Sequence, residues 1–216
     1  MRGIVLAALV ALAVPALGES EPLIEAEYSN PGLIPGHWTL EVHPDGSAHF
    51  KSQRGNAPRT EGQGIEAPDM DRDLHLSPQF AERIFAVARR KKLFRIACES
   101  QMKVAFQGTK KLSYSGPDGE GACQFNYSKD VEIQTLGDDL VSVANTMIEG
   151  ARLQSLLQYD RLGLDRETEV LTESAADGRA QQIGSIRDIL ERLAEDDSVL
   201  ERVRRRARAL LNRAQN

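Results

Sequence analysis

The feature that most narrows what this chain can fold into is a run of two-residue alternation broken by one short turn. Trp38, Leu40 and Val42 alternate with Thr39, Glu41 and His43; Pro44-Asp45-Gly46 follow, and Ala48 and Phe50 resume the pattern. Successive side chains of a strand point to opposite faces, so the pattern predicts two paired strands with one buried face. The turn sets the register. A type I turn with Gly46 left-handed in a bulge places His43 opposite Ser47, Val42 opposite Ala48 and Leu40 opposite Phe50, and every apolar side chain then shares one face. A two-residue Asp45-Gly46 loop would set Val42 opposite His49 and split that set, so the longer turn is expected.

The chain opens with Arg2, an apolar run over residues 4–17 and the small-x-small triplet Ala16-Leu17-Gly18. These are the parts of a secretory signal peptide, residues 1–18, and the run is shorter than the ~20 residues that span a bilayer core. The reading is an exported protein, periplasmic or extracellular, that starts near Glu19 and keeps no transmembrane anchor after cleavage. Export places Cys98 and Cys123 in an oxidising compartment, where an even count predicts a disulfide; two buried free thiols are the alternative. Closing a loop of about 25 residues stabilises a fold by roughly 3 kcal/mol.

Hydrophobic residues make up 41% of the sequence, enough for a real core in one domain or two small ones. Cleavage removes Arg2 and no acid, leaving a net charge of about −6, which argues against nucleic-acid binding. The last helix concentrates Arg202, Arg204, Arg205, Arg206, Arg208 and Arg213 against Glu201 alone. Such a tail either docks on an anionic surface, folds back on its acidic body or stays solvated.

Residues 52–74, rich in Gly, Pro and charge, read as a long polar loop and the most mobile segment. Ser77-Pro78 caps a helix running to about Lys92, with Phe80, Ile84, Val87 and Ala88 on one face. Residues 102–128 return to period two and read as a three-stranded meander, pairing Phe106 with Leu112 and Tyr114 with Cys123. From about Leu136 the pattern is helical: one helix ended by Gly163, another capped by Asp165, an amphipathic segment with Ile183, Ile186, Ile189, Leu190 and Leu193, and a last helix opened by the capping box Ser198 to Glu201.

The strongest candidate for chemistry is the polar face of the first hairpin. The expected register gathers His37, Glu41, His43 and His49 there, with Glu41 opposite His49, which suits a metal ion or an acid–base pair. The same side chains suit an ordinary solvated face. Asp69, Asp71 and Asp73 lack the spacing of an EF-hand and fit a solvated loop, and Glu195-Asp196-Asp197 suits a helix N-terminus. Asp160 and Arg161 fit a surface ion pair. No nucleophile elbow, phosphate loop, His-Glu-x-x-His or Cys-x-x-Cys motif occurs, and no cofactor is implied.

The run from Trp38 through the Pro44-Asp45-Gly46 turn, the Ser77 helix ending at Lys92-Leu93-Phe94, and the strands at Lys103 to Tyr127 resembles small exported bacterial domains of unknown function. That resemblance covers about half the chain and implies no activity. Residues 186–211 are similar to one helical hairpin of a HEAT-type repeat, through Asp197 at the turn and Val203, Arg204, Ala207 and Leu210, which implies protein binding.

The sequence therefore predicts an α+β protein. Residues 19–130 form an antiparallel sheet of about five strands with one packed helix, and residues 131–216 a C-terminal antiparallel helical region docked on it. The functional expectation is a non-catalytic exported protein that binds a macromolecule or associates with the envelope, with a protein partner at the C-terminal helices. The alternative is a small hydrolase or metal-dependent enzyme using Glu41, His43 and His49.

Overall fold

The computed structural model describes residues 21–58 and 65–214. The expected signal peptide, residues 1–18, lies outside them. An antiparallel sheet of six strands carries helices on one face. The strands are β1 (Leu23–Ser29), β2 (His37–Val42), β3 (Ser47–Gln53), β4 (Met70–His75), β5 (Thr109–Gly116) and β6 (Gly119–Phe125), in the order β4-β3-β2-β1-β5-β6.

The first hairpin has the predicted register: Val42 faces Ala48, Leu40 faces Phe50 and Glu41 faces His49. The His43 N–H donates to the Ser47 carbonyl at 2.9 Å, and Gly46 has φ 88°. A Cβ on Gly46 would lie 2.5 Å from the Leu76 carbonyl oxygen, so the turn needs glycine for contact as well as for conformation.

Two strands are additions to the expected set. In β1, Ile24, Ala26 and Tyr28 are buried and alternate with half-buried neighbours, and the strand sits mid-sheet between β2 and β5. The stretch expected as a polar loop contains β4, which pairs with β3 and sets Asp73 opposite His49 and Asp71 opposite Lys51. Arg72 stands at an inward position of β4, paired with Asp188 at 2.6 Å.

One expected strand does not form. Residues 102–106 make no ladder, because β5 already has β1 on one side and β6 on the other. The second hairpin also differs from its predicted register by two residues. Leu112 faces Cys123, Tyr114 faces Gly121, and Pro117-Asp118 is the two-residue turn between Gly116 and Gly119. A shift of two preserves the buried face, so Cys123 still points inward and bonds Cys98 across a Cα–Cα distance of 5.7 Å.

The apolar sheet face packs under α1 (Pro78–Arg90) and α2 (Val131–Tyr159). The Ser77 hydroxyl accepts from the Phe80 N–H at 3.3 Å, capping α1 as its sequence predicts. Helix α2 starts five residues before the expected Leu136, because the Asp130 carboxylate accepts from the Glu132 and Ile133 N–H groups. It is buried on several sides: Ile133, Leu140 and Met147 belong to one continuous core with the sheet and the later helices.

Helix α2 ends at Tyr159, before the expected Gly163, which lies in a 3-10 turn (Arg161–Gly163). Asp165 falls inside α3 (Leu164–Ala176), where it accepts from Arg202 and Arg206 instead of capping. A 3-10 turn (Ile183–Ile186) leads into α4 (Arg187–Glu195), and α5 (Glu201–Arg213) follows. The expected capping box is absent, since Leu200 occupies the cap and Ser198 bonds Asp196. The arginine-rich helix is turned back on the protein: Arg202 and Arg206 pair with Asp165, Arg206 with Glu169 and Arg204 with Asp197, while Arg208 pairs with Glu201 of its own helix. Arg161 pairs with Asp196 and not with the expected Asp160, whose carboxylate accepts from the Leu162 N–H.

Candidate functional site

The polar sheet face brings together some of the residues expected to carry chemistry and separates others. His49 is held between the two acids of β4, with Nδ1 2.7 Å from Asp73 and Nε2 2.9 Å from Asp71. The hydrogen bond to Asp73, helped by the nearby carboxylates of Asp71 and Glu41, pushes the imidazole pKa above its ordinary value. Glu41 stands opposite His49 in the ladder but acts on it only through space. His43 lies beyond the end of β2, with a buried Nδ1 that has no hydrogen-bond partner among the described residues.

His37 belongs to a different group. Its Nε2 lies 3.2 Å from Glu27, which Lys111 also contacts at 3.3 Å. The hydrogen bond from His37, and then Lys111, holds the Glu27 carboxyl below its usual value. The face is thus a set of cross-strand ion pairs, each worth little where water reaches it. Among the described residues no group of three His, Cys, Asp or Glu side chains is placed to hold a metal ion. A depression of about 210 Å³ on this face is lined by Glu27, Ser29, Thr109, Lys111 and Gln124. It includes none of Glu41, His43 and His49. A larger cleft of about 840 Å³, near His75, Gln182 and Arg213, also excludes them.

Sequence reasoning missed Asp71 and Asp73 as neighbours of His49. Their signal was the alternation Met70, Arg72, Leu74 against Asp71, Asp73, His75, obscured by the charge of Arg72 on the inward side.

A second set of titratable groups lies between α2 and α3. Glu149 and Glu167 are mostly buried and share Arg152, at 3.0 and 3.7 Å. Burial, then the adjacent Glu167 carboxyl, pushes the Glu149 pKa up to about 8. No cavity described above reaches this pair.

The third feature is the segment predicted as a strand. Residues 101–107 are all exposed, with Met102 52%, Val104 39% and Phe106 59% accessible, so the alternating apolar side chains reach water instead of a core. Tyr127, whose carbonyl accepts from the Ser100 N–H at the start of the segment, is exposed as well. The segment is anchored at both ends. The Ser100 N–H donates to the Tyr127 carbonyl at 2.8 Å, and the Tyr28 hydroxyl donates to the Gln107 carbonyl at 2.6 Å. Asn126 bridges its middle, accepting from the Gln107 N–H at 2.8 Å and donating to the Ala105 carbonyl at 3.0 Å. Gly108 (φ 104°) lets Tyr28 lie against the chain, because a Cβ there would fall 2.3 Å from the tyrosine oxygen.

No family model matches the chain, and no curated protein does. The disulfide is compatible with an exported protein. Among the described residues no helix is long and apolar enough to cross a membrane.

Proposed function

We propose that this chain is a non-catalytic exported protein of the periplasm or extracellular space that attaches to a component of the cell envelope through residues 101–107. The observation that carries the reading is the anchored strip of Met102, Val104 and Phe106, which exposes alternating apolar side chains on a backbone held by Tyr28 and Asn126. Exposed apolar surface costs solubility, and a contiguous, positioned patch marks a contact site. The hairpin face gives the enzymatic alternative little support, because His49 is occupied by two carboxylates and the cavity described there includes none of Glu41, His43 and His49.

The test is retention of the mature protein on its own envelope fraction. Wild type and His49→Ala are expected to be retained, and the double variant Val104→Asp/Phe106→Asp to be released. Equal retention of that variant would refute the reading, while loss of retention in His49→Ala would return attention to the hairpin.

A further inference from the structure

We infer that residues 101–107 form a shallow wedge that seats the protein on an anionic phospholipid surface. The inference rests on the attachment role proposed above for the same segment and names the chemistry of its partner. Three observations favour lipid over a protein groove or a second copy.

The first is charge. Exposed Lys103 lies within the strip and exposed Lys129 follows Tyr127 by two residues, and neither has a carboxylate partner among the described residues. Of the neighbouring acids, Asp130 and Glu132 bind Lys91 and Glu132 also binds Arg90, while Glu99 accepts from the Asn126 N–H at 2.6 Å and keeps its charge, so the two lysines outnumber it. Two free ammonium groups among apolar side chains complement an anionic headgroup layer. The acidic remainder of the protein is repelled by the same surface, which orients this end toward it.

The second is shape. Neither of the two cavities described above is lined by residues 101–107, so neither offers the strip a concave neighbour to receive a partner's side chain. A soft lipid interface accepts an exposed strip without complementary relief. Tyr127 is a side-chain type that settles at the headgroup boundary, and Phe106 one that enters its apolar side.

The third is preorganisation. The anchors at Tyr28, Ser100 and Asn126, with the Cys98 to Cys123 disulfide just upstream, hold the strip before contact and reduce the ordering cost of docking. The strip has no ladder, and apart from the Met102 and Gln107 N–H and the Ala105 and Gln107 C=O groups its backbone must keep water, which limits insertion to the headgroup and upper acyl region.

The test uses the mature, disulfide-intact protein and phosphatidylcholine vesicles with or without phosphatidylglycerol. Co-sedimentation is expected with the anionic vesicles at low salt and not with the neutral ones. Val104→Asp/Phe106→Asp should weaken binding about tenfold or more, and Lys103→Glu/Lys129→Glu about fivefold with a flatter salt dependence. In Phe106→Trp the indole emission should shift to the blue on the anionic vesicles, against the constant signal of buried Trp38. Near-UV circular dichroism checks that each variant stays folded, which exposed positions permit. Absence of binding to anionic vesicles at low salt, or binding indifferent to Val104→Asp/Phe106→Asp, overturns the lipid assignment. If vesicles fail while that variant is still released from the envelope fraction, the lipid assignment falls and the attachment role stands, with a protein partner or a second copy as occupant.

Discussion

At the β4 end of the sheet, each strand is held by its neighbour's backbone ladder, and the outward side chains close into cross-strand ion pairs: His49 with Asp71 and Asp73, and Lys51 with Asp71. At the β6 end the ladder stops, and the adjoining chain is fixed by single attachments: the disulfide, the Tyr28 hydroxyl and the Asn126 amide. The first arrangement leaves these outward charges paired. The second leaves Met102, Val104 and Phe106 in water on a framework that does not need them for packing. An ordered segment whose apolar side chains do nothing for the fold is where an interaction role is most readily explained.

The largest expected effect concerns the ladder end. Phe50 is fully buried, faces Leu40 and lies 6.0 Å, ring to ring, from Trp38. Phe50→Ala should therefore cost about 3–5 kcal/mol in chemical denaturation, with β1 to β4 lost together. A loss confined to β3 and β4 would break the claim that the ladder end acts as one unit.

Next comes the attachment end, where Cys98→Ser/Cys123→Ser should cost roughly 3 kcal/mol. Limited proteolysis should then open residues 99–107 first, while β2 and β3 keep their amide protection. Uniform loss of protection would show that the two ends are not separately held.

Glu149 belongs to neither end and provides the control. Its folded-state pKa is raised to about 8 from 4.5, so its neutral form favours folding fully below pH 4.5, and that contribution is lost as pH rises through about 8. Glu149→Gln should flatten this decline and leave the protein more stable than wild type at pH 9, with Glu167, Arg152 and Arg179 as the charges facing it. An unchanged pH profile would mean that the pair stays hydrated.

The smallest effect is at His49. Its raised pKa means that the contribution of its charged form is present below 6.5 and lost as pH passes through the elevated folded value. The difference in Tm between wild type and His49→Gln should therefore narrow as pH rises. A constant difference would point to packing in place of charge.

The same contrast explains what the sequence disclosed. The β2–β3 register was legible because Gly46 and the Pro44-Asp45 turn act locally, and only one turn length keeps Leu40, Val42, Ala48 and Phe50 together. In the second hairpin two registers keep Leu112, Tyr114, Cys123 and Phe125 inward, so the pattern alone did not choose between them. Strand β4 was hidden because the partner that explains inward Arg72 is Asp188, 116 residues away. Residues 102–106 have the alternation of a strand, but occupancy of both sides of β5 by β1 and β6 is a property of the whole sheet. Of the candidate site, the facing of Glu41 and His49 was readable, whereas the acids that bind His49 came from a stretch expected to be loop.

The most direct measurement is amide hydrogen exchange on the mature protein, free and in the presence of its own envelope fraction. The account predicts new protection across residues 101–107 and at the start of α2, with exchange in β3 and β4 unchanged. Protection that appears at β3 and β4 and is absent from residues 101–107 would contradict it.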